Sequence, residues 1–182
     1  MRYFQVARRS RQFRFNVAAG LAALVFFGVY FVALMHAERR AEQTYSKLRE
    51  RNPDTYLEKI RQVRGFHIFL REFSTLKRYD LSHAEAPPFL IGRWALFDQP
   101  KRVGDAYVPP TCLNNITIQD GHIKVGTKTY AVRYVMQDSA VMARGKSGPP
   151  IIIEPVGYGS HLHHLEVVMP DGKGLHYAYL CK

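Results

Sequence analysis

Cysteine and acidic side chains are scarce in this chain of 182 residues, which has 2 Cys and 15 Asp and Glu against 26 Lys and Arg. The net charge is +11, and residues 1–16 contribute five arginines and no acid. Residues 36–83 add eleven cations and seven acids, whereas residues 84–182 add ten cations and eight acids. A nucleic-acid-binding protein concentrates its positive charge on a folded face. The uneven distribution therefore argues against a nucleic-acid partner.

Sequence motifs of catalysis are absent as well. The chain contains no C-x-x-C, G-x-G-x-x-G or H-E-x-x-H pattern. Residues 145–150 include Gly-Lys-Ser but lack the preceding glycine that a phosphate-binding loop needs, and they read as an exposed loop. We therefore expect a non-catalytic protein. An enzyme whose site cannot be recognised in one sequence remains an alternative.

A stretch of 19 residues without any charge, 17–35, lies close to the N-terminus. As a helix it spans about 28 Å, close to the thickness of a bilayer core. It is longer than the roughly 7–15 apolar residues of a cleaved signal peptide. Cleavage after Ala37 would also place Met35 where a small residue is needed. The sequence therefore predicts one uncleaved transmembrane helix.

Both flanks of this helix are cationic, so the lysine and arginine count alone does not orient it. Residues 1–16 form a short, purely cationic tail, which we predict to be cytoplasmic, with residues 36–182 outside. The predicted location is the inner membrane of a bacterium, with a periplasmic C-terminal domain. The alternative is the mitochondrial inner membrane, because an acid-free, arginine-rich start also resembles a transit peptide.

Two groups of residues are candidates for contacts at the membrane. Gly20 and Gly28 are eight positions apart and lie near one helix face, where small residues let a partner helix approach closely. Arginines of the N-terminal tail are expected to bind anionic lipid headgroups, at about 1 kcal/mol each. These are Arg8, Arg9, Arg11 and Arg14.

Residues 36–83 form a predicted helical neck. Residues 37–51 should continue the membrane helix, and Asn52-Pro53-Asp54 should begin a second helix, which Gly65 bends. Its apolar residues recur every three or four positions and form one stripe. They are Tyr56, Leu57, Ile60, Val63, Phe66, Phe69, Leu70, Phe73 and Leu76.

Two interpretations of this stripe stay open at this point. The stripe could pack on the domain that follows, leaving the basic face in water. Alternatively, it could dock onto a membrane partner or lie in the lipid interface. The docking interpretation assigns the contact to Phe66, Phe69, Leu70 and Phe73.

Residues 84–182 change to short runs of β-branched and aromatic residues. Turns are predicted at Asp120-Gly121, Asp138-Ser139 and Pro170-Asp171-Gly172. The runs are Phe89–Phe97, Leu113–Ile118, His122–Val125, Thr129–Met136, Ala140–Arg144, Ile151–Val156, His161–Met169 and Leu175–Leu180. The predicted class is α+β: a transmembrane helix, a helical neck and a small antiparallel β meander, barrel or sandwich.

The first run contains Gly92-Arg93-Trp94, which resembles the opening G-x-W of lipocalin-type barrels. A β region of about 95 residues is short for a lipocalin with a ligand cavity. We therefore expect Trp94 to fill one end of a small β core.

Cysteine and histidine provide the remaining site predictions. Cys112 and Cys181 lie in the domain assigned to an oxidising compartment, so we predict that they form one disulfide.

On a strand, His161 and His163 share a face about 6.5–7 Å apart, which permits Zn or Cu binding with a third ligand. Candidates for that ligand are His176, His122 and Glu166. The alternative is a histidine-rich strand edge in water.

Together these features predict a non-catalytic, single-pass accessory or assembly subunit of a larger inner-membrane complex. Its expected partners are integral membrane proteins and anionic lipids. The alternative function is a periplasmic Zn or Cu carrier that uses His161, His163 and His164. No cofactor is expected in the first case.

Overall fold

A computed structural model describes residues 2–101, 107–170 and 174–181, with side chains from residue 19 onward. The described chain divides into two compact units. The first extends to Arg51 and the second begins at Asn52. The α+β class is confirmed, because a long apolar helix is followed by a nearly closed antiparallel sheet.

The first unit is a single helix, α1, Arg2–Arg51, which is about 75 Å long at 1.5 Å per residue. Its segment Ala19–Arg51 is long and apolar enough to cross a membrane, and none of its most apolar window is buried. Large apolar side chains of this segment are strongly exposed, with Phe26 at 70% and Met35 at 42%. The helix continues past residue 36 without a break, as predicted for residues 37–51.

The second unit begins with two short helices, α2 (Pro53–Arg64) and α3 (Phe66–Leu76). Asn52 caps α2 as predicted, because its side-chain oxygen accepts a hydrogen bond from the Thr55 N–H at 3.1 Å. Gly65 does more than bend the helix. It has a φ of +87° and separates α2 from α3, so the Phe66 N–H is free to donate to the Gly159 carbonyl at 2.8 Å.

Nine strands follow in the described residues, and all neighbouring pairs are antiparallel. The sheet order is β4-β3-β2-β1-β9-β8-β7-β6-β5, so consecutive strands are neighbours except for β4 and β5, which lie at the two ends, and the last strand pairs with the first. The strands are β1 (Gly92–Phe97), β2 (Asn115–Gln119), β3 (His122–Val125), β4 (Lys128–Ala131), β5 (Arg133–Gln137), β6 (Ala140–Arg144), β7 (Ile151–Tyr158), β8 (His161–Val168) and β9 (Leu175–Leu180).

The run predicted as one strand, 129–136, is divided between β4 and β5 at the two ends of the sheet order. Val132 lies at the break, and its N–H donates to the Gly121 carbonyl at 2.8 Å. Beyond the break, residues 79–86 cover the outer edge of β5. His83 and Tyr134 exchange two backbone hydrogen bonds of 2.9 and 2.7 Å. The break has a geometric cause, since a curled sheet needs a bend where its two ends approach each other.

Apolar side chains on alternate strand positions fill the interior of this barrel. Trp94 is 2% exposed, and its indole N–H donates to the Leu90 carbonyl at 2.9 Å. The interior residues are Trp94, Leu96, Ile116, Ile118, Ile123, Tyr134, Met136, Val141, Ala143, Ile151, Ile153, Leu165, Val167 and Ala178. The turns at Asp120-Gly121 and Asp138-Ser139 are present, whereas the predicted turn at Pro170-Asp171-Gly172 extends outside the described residues.

The aromatic stripe of α3 lies in the core of the second unit. Three of its phenylalanine rings surround Phe89 with centroid distances of 5.2–5.9 Å. Phe66 packs so closely on β7 that a Cβ added to Gly157 would lie 2.5 Å from the Phe66 Cβ. The four residues assigned to partner docking, Phe66, Phe69, Leu70 and Phe73, are all buried. The docking interpretation of the stripe is therefore wrong, because the domain itself covers this apolar surface.

Candidate functional site: a histidine–tyrosine cluster under the β1–β2 loop

A β-bulge in β8 gives this surface its unusual chemistry. Along β7 and β8, Val156 pairs with His164 and Gly157 pairs with Leu162, so His163 is an extra residue without a partner position. A bulge of this kind bends the strand and redirects a side chain. Two neighbouring histidines, which normally point to opposite faces of a sheet, can then lie together.

The rings of His163 and His164 both contact the ring of Tyr179 in β9. Leu165 pairs with Ala178 on the barrel interior, so the next positions, His164 and Tyr179, lie on the outer face. The rings of His164 and Tyr179 are stacked at 5.4 Å, and the His163 ring contacts Tyr179 edge-on at 5.8 Å. The bulge therefore brings both imidazoles onto one tyrosine.

The two imidazoles share a hydrogen bond of 2.8 Å between their Nδ1 atoms. One nitrogen must donate and the other must accept, which a pair protonated on both rings cannot do. The Nε2 atoms of both histidines are buried without a hydrogen-bond partner among the described residues. Burial lowers the pKa of His164, and the neighbouring His163 lowers that pKa further. His164 is therefore favoured in its neutral state.

A carboxylate and a loop surround the pair. Glu166 Oε1 lies 3.7 Å from His164 Nε2, close enough to pair with a protonated ring. Above Tyr179, the backbone N–H of Lys101 donates to the tyrosine hydroxyl at 2.7 Å, and the Tyr107 ring lies edge-on at 5.1 Å. Burial raises the pKa of Tyr179, and the hydrogen bond from Lys101 partly opposes that rise.

The predicted disulfide between Cys112 and Cys181 is present, with the Cα atoms 6.3 Å apart and 69 positions between them in sequence. It joins the end of the loop that covers Tyr179 to the residue that follows β9. Arg93 supports both cysteines, because its side chain donates to the Cys112 carbonyl at 2.7 Å and its own carbonyl accepts from the Cys181 N–H at 2.8 Å. The disulfide thus fixes the cover to the strand that carries the tyrosine.

The predicted metal site is not formed in the described part of the chain. Residues 2–101, 107–170 and 174–181 contain no group of three or more His, Cys, Asp or Glu placed to hold a metal ion. His161 is exposed, His163 bonds to His164, and His176 Nδ1 lies 3.2 Å from Asp98 Oδ1. The prediction assumed regular alternation along β8, and the bulge removes that alternation.

The residues predicted for membrane contacts lie in α1. A Cβ added to Gly20 or Gly28 would meet no described atom within 4 Å beyond the helix's own backbone, so both have open space beside them. The side chains of Arg8, Arg9, Arg11 and Arg14 lie outside the described ones. Partner-helix contact and lipid binding therefore stay predictions.

Sequence reasoning did not find the pairing of His163 with His164 on Tyr179. A usable indication was present, because glycine inside a strand pattern often marks a bulge or a close approach of another segment. Gly157 fulfils both roles, as it lies at the register shift and against Phe66.

Comparison of this chain with protein-family models, with curated proteins and with solved structures finds no match.

Proposed function

We propose that this protein is a non-catalytic, membrane-anchored accessory or assembly subunit of a larger inner-membrane complex, with its barrel outside the membrane. The observation that carries this proposal is the uncovered apolar surface of α1. None of the most apolar window of Ala19–Arg51 is buried by the described chain. Soluble proteins rarely leave so large an apolar surface in water, and lipid tails or the helices of integral partners would cover it.

The barrel suits an interaction module better than a ligand carrier. Its interior is occupied by its own side chains, which is typical of small closed or nearly closed sheets. The surface that remains for recognition is the outside of the strands and the loops. A module of this kind, held at the membrane by α1, can position or stabilise a neighbouring subunit.

The compartment follows from the disulfide within the same proposal. Disulfides persist in oxidising compartments such as the bacterial periplasm, and the Cys112–Cys181 bond lies in the second unit. We therefore place the N-terminus in the cytoplasm and the barrel in the periplasm. The mitochondrial inner membrane, with the barrel on its outer side, is the alternative location.

Co-purification tests the assignment to a complex. The full chain is extracted in a mild detergent, and associated proteins are identified by mass spectrometry. Gly20→Leu with Gly28→Leu should remove an integral partner by blocking close helix approach. The matched control, Ala22→Leu with Val29→Leu, changes the other side of α1 and should retain it. Absence of any integral partner from the wild-type preparation would contradict the proposal.

Topology is tested separately. Protease added to sealed spheroplasts should digest the barrel and spare a tag at the N-terminus. Protection of the barrel would reverse the orientation, and it would place the disulfide in a reducing compartment.

A further inference from the structure

In the part of the chain that the structure describes, the barrel wall is open beside β4. β4 pairs with β3 on one side, and in the described part of the chain its other backbone edge has no strand partner. Described residues in turns, loops and caps also form backbone hydrogen bonds. None of these bonds involves Lys128–Ala131. β5, at the other end of the sheet order, differs, because residues 79–86 cover its edge. Among the described residues, an uncovered edge thus distinguishes β4 from β5.

Three surface depressions of about 210, 440 and 220 Å³ adjoin this edge. The first shares Tyr130 and Pro170 with the second, and Ala131, Val132 and Lys146 with the third. Together they form one slot between β4 and the segment that follows β6. We call this the β4 slot.

The floor of the β4 slot is apolar. Val132, Ala143 and Ile151 line it and are all buried in the barrel wall, with exposures of 6%, 1% and 2%. Pro149 and Pro170 form its rim. An occupant could therefore place apolar side chains against the floor while its backbone meets the strand edge.

The described charged residues that line the β4 slot are all cationic. Lys128, Arg133, Arg144 and Lys146 line the three depressions, and no Asp or Glu lines them among the residues that the structure describes. The Arg133 guanidinium is held in place by two hydrogen bonds of 2.9 Å to Ser82. Lys128 and Lys146 are exposed. A negatively charged occupant is favoured by this arrangement.

An unpaired strand edge recognises an extended chain, because its N–H and C=O groups continue the ladder of the sheet. A second copy of this protein is a poor occupant, since pairing β4 with β4 would bring Lys128 and its neighbouring cations together. We propose that the β4 slot binds an extended acidic segment of a partner protein, which adds to β4 as a further strand. This proposal rests on the accessory function above and names the chemistry of the partner.

The geometry specifies the recognised segment. Four residues of strand extend over about 13 Å, which sets the length of the contact. Side chains alternate along the added strand, so every second residue would face the side of β4 that carries Lys128 and Tyr130, where a carboxylate can meet the cations.

The test uses the full chain in micelles of an uncharged detergent and two labelled peptides. One peptide alternates glutamate and valine over seven residues, and the other replaces each glutamate with lysine. Fluorescence anisotropy should detect binding of the glutamate peptide only. Lys128→Glu with Lys146→Glu should weaken that binding about tenfold or more. Lys59→Glu, an exposed change on α2 outside the slot, is the control and should have little effect.

A second pair of measurements tests strand addition. N-methylation of alternate peptide amides removes donors without changing charge and should abolish binding if the backbone ladder forms. Hydrogen exchange at residues 128–131 should slow when the unmodified peptide binds.

Equal weakening by Lys59→Glu, or unchanged exchange at β4, would overturn the proposal and leave only general charge attraction. Concentration-dependent self-association through β4 would also overturn it, in favour of a second copy. If the peptide fails while Gly20→Leu with Gly28→Leu still removes an integral partner, the accessory function stands and the slot does not carry it.

Discussion

The apolar surfaces of α1 and α3 look similar as sequence but differ in the structure. Both helices carry several large aromatic residues, and both were candidates for contact with a membrane or a partner. In α3 the phenylalanines are buried around Phe89 and against β7. In α1 the large apolar residues between positions 21 and 35 are exposed. An apolar stripe in the sequence therefore identifies a surface that must be covered. Whether its own domain or another molecule covers it depends on the rest of the fold.

The shape of each pattern explains the difference. The apolar residues of α3 occupy one face, and charged or polar residues complete the helix, as in helices that pack on their own domain. The segment 17–35 of α1 is apolar on every side and has no polar face to leave in water. Such a helix needs cover all round, which a single small domain does not provide.

The largest expected effect tests whether the α3 surface is core. Phe66→Ala with Phe69→Ala should lower the free energy of unfolding by about 3–5 kcal/mol for each ring, enough to unfold the second unit. The control is Val63→Ala on α2, which is 68% exposed and should change stability by less than about 0.5 kcal/mol. Urea titration followed by the fluorescence of Trp94 measures both. A stable double variant that instead loses a partner would restore the docking interpretation.

Loss of the disulfide has the second largest expected effect on stability. The bond lies in the second unit, whereas α1 contains no cysteine. Cys181→Ser should lower the free energy of unfolding by about 2–4 kcal/mol, because the bond closes a long loop of the unfolded chain. Cys112→Ser should have a similar effect, and the double variant should be no worse than either. Free thiols at both positions in freshly isolated, non-reduced protein would contradict the pairing.

The same substitution, glycine to alanine, can be made in the packed second unit and in the exposed helix α1. The two changes in stability can then be compared directly. Gly157→Ala should cost about 1–3 kcal/mol, because its new methyl group would collide with Phe66. Gly28→Ala in α1 has open space and should leave the unfolding of the second unit unchanged. Denaturation midpoints of the two variants provide the test, and equal effects would show that β7 and α3 are not tightly packed.

The smallest effect concerns the covered histidine pair. Burial and the nearby His163 lower the pKa of His164 in the folded state, whereas the unfolded chain has the ordinary value of about 6.5. The unfolded state therefore binds more protons below that pH. The stability contribution is complete above about pH 6.5 and is lost as the pH falls through the lowered pKa.

Substitution of His164 should therefore change how stability depends on pH. His164→Gln should flatten the loss of stability between pH 7 and 5, by about 1 kcal/mol or less. His67→Gln, an exposed histidine on α3, is the control. Unfolding midpoints measured across this pH range should differ in slope only for His164→Gln. Parallel curves for wild type and His164→Gln would refute the assignment.

The parts of the fold that follow from local pattern could be predicted from the sequence. The uncharged run, the Asn52 cap, the hairpin at Asp120-Gly121 and the pairing of the only two cysteines each depend on nearby residues or on composition. Features set by tertiary contact were missed. Strand alternation does not reveal the bend at Val132 or the bulge at His163, since both arise where the sheet curls and meets other segments.

The pairing of the first strand with the last imposes an order on biosynthesis. Trp94 pairs with Leu180, so a ladder hydrogen-bonded across 86 positions cannot form until nearly the whole domain has been synthesised. Sequence-distant pairing of this kind slows folding and exposes strand edges in the interval. The backbone hydrogen bonds of a helix such as α1 join residues only four positions apart, so α1 can form early. A nascent chain would therefore be tethered by its helix while the barrel was still open, and that interval is when a chaperone would have access to its strands.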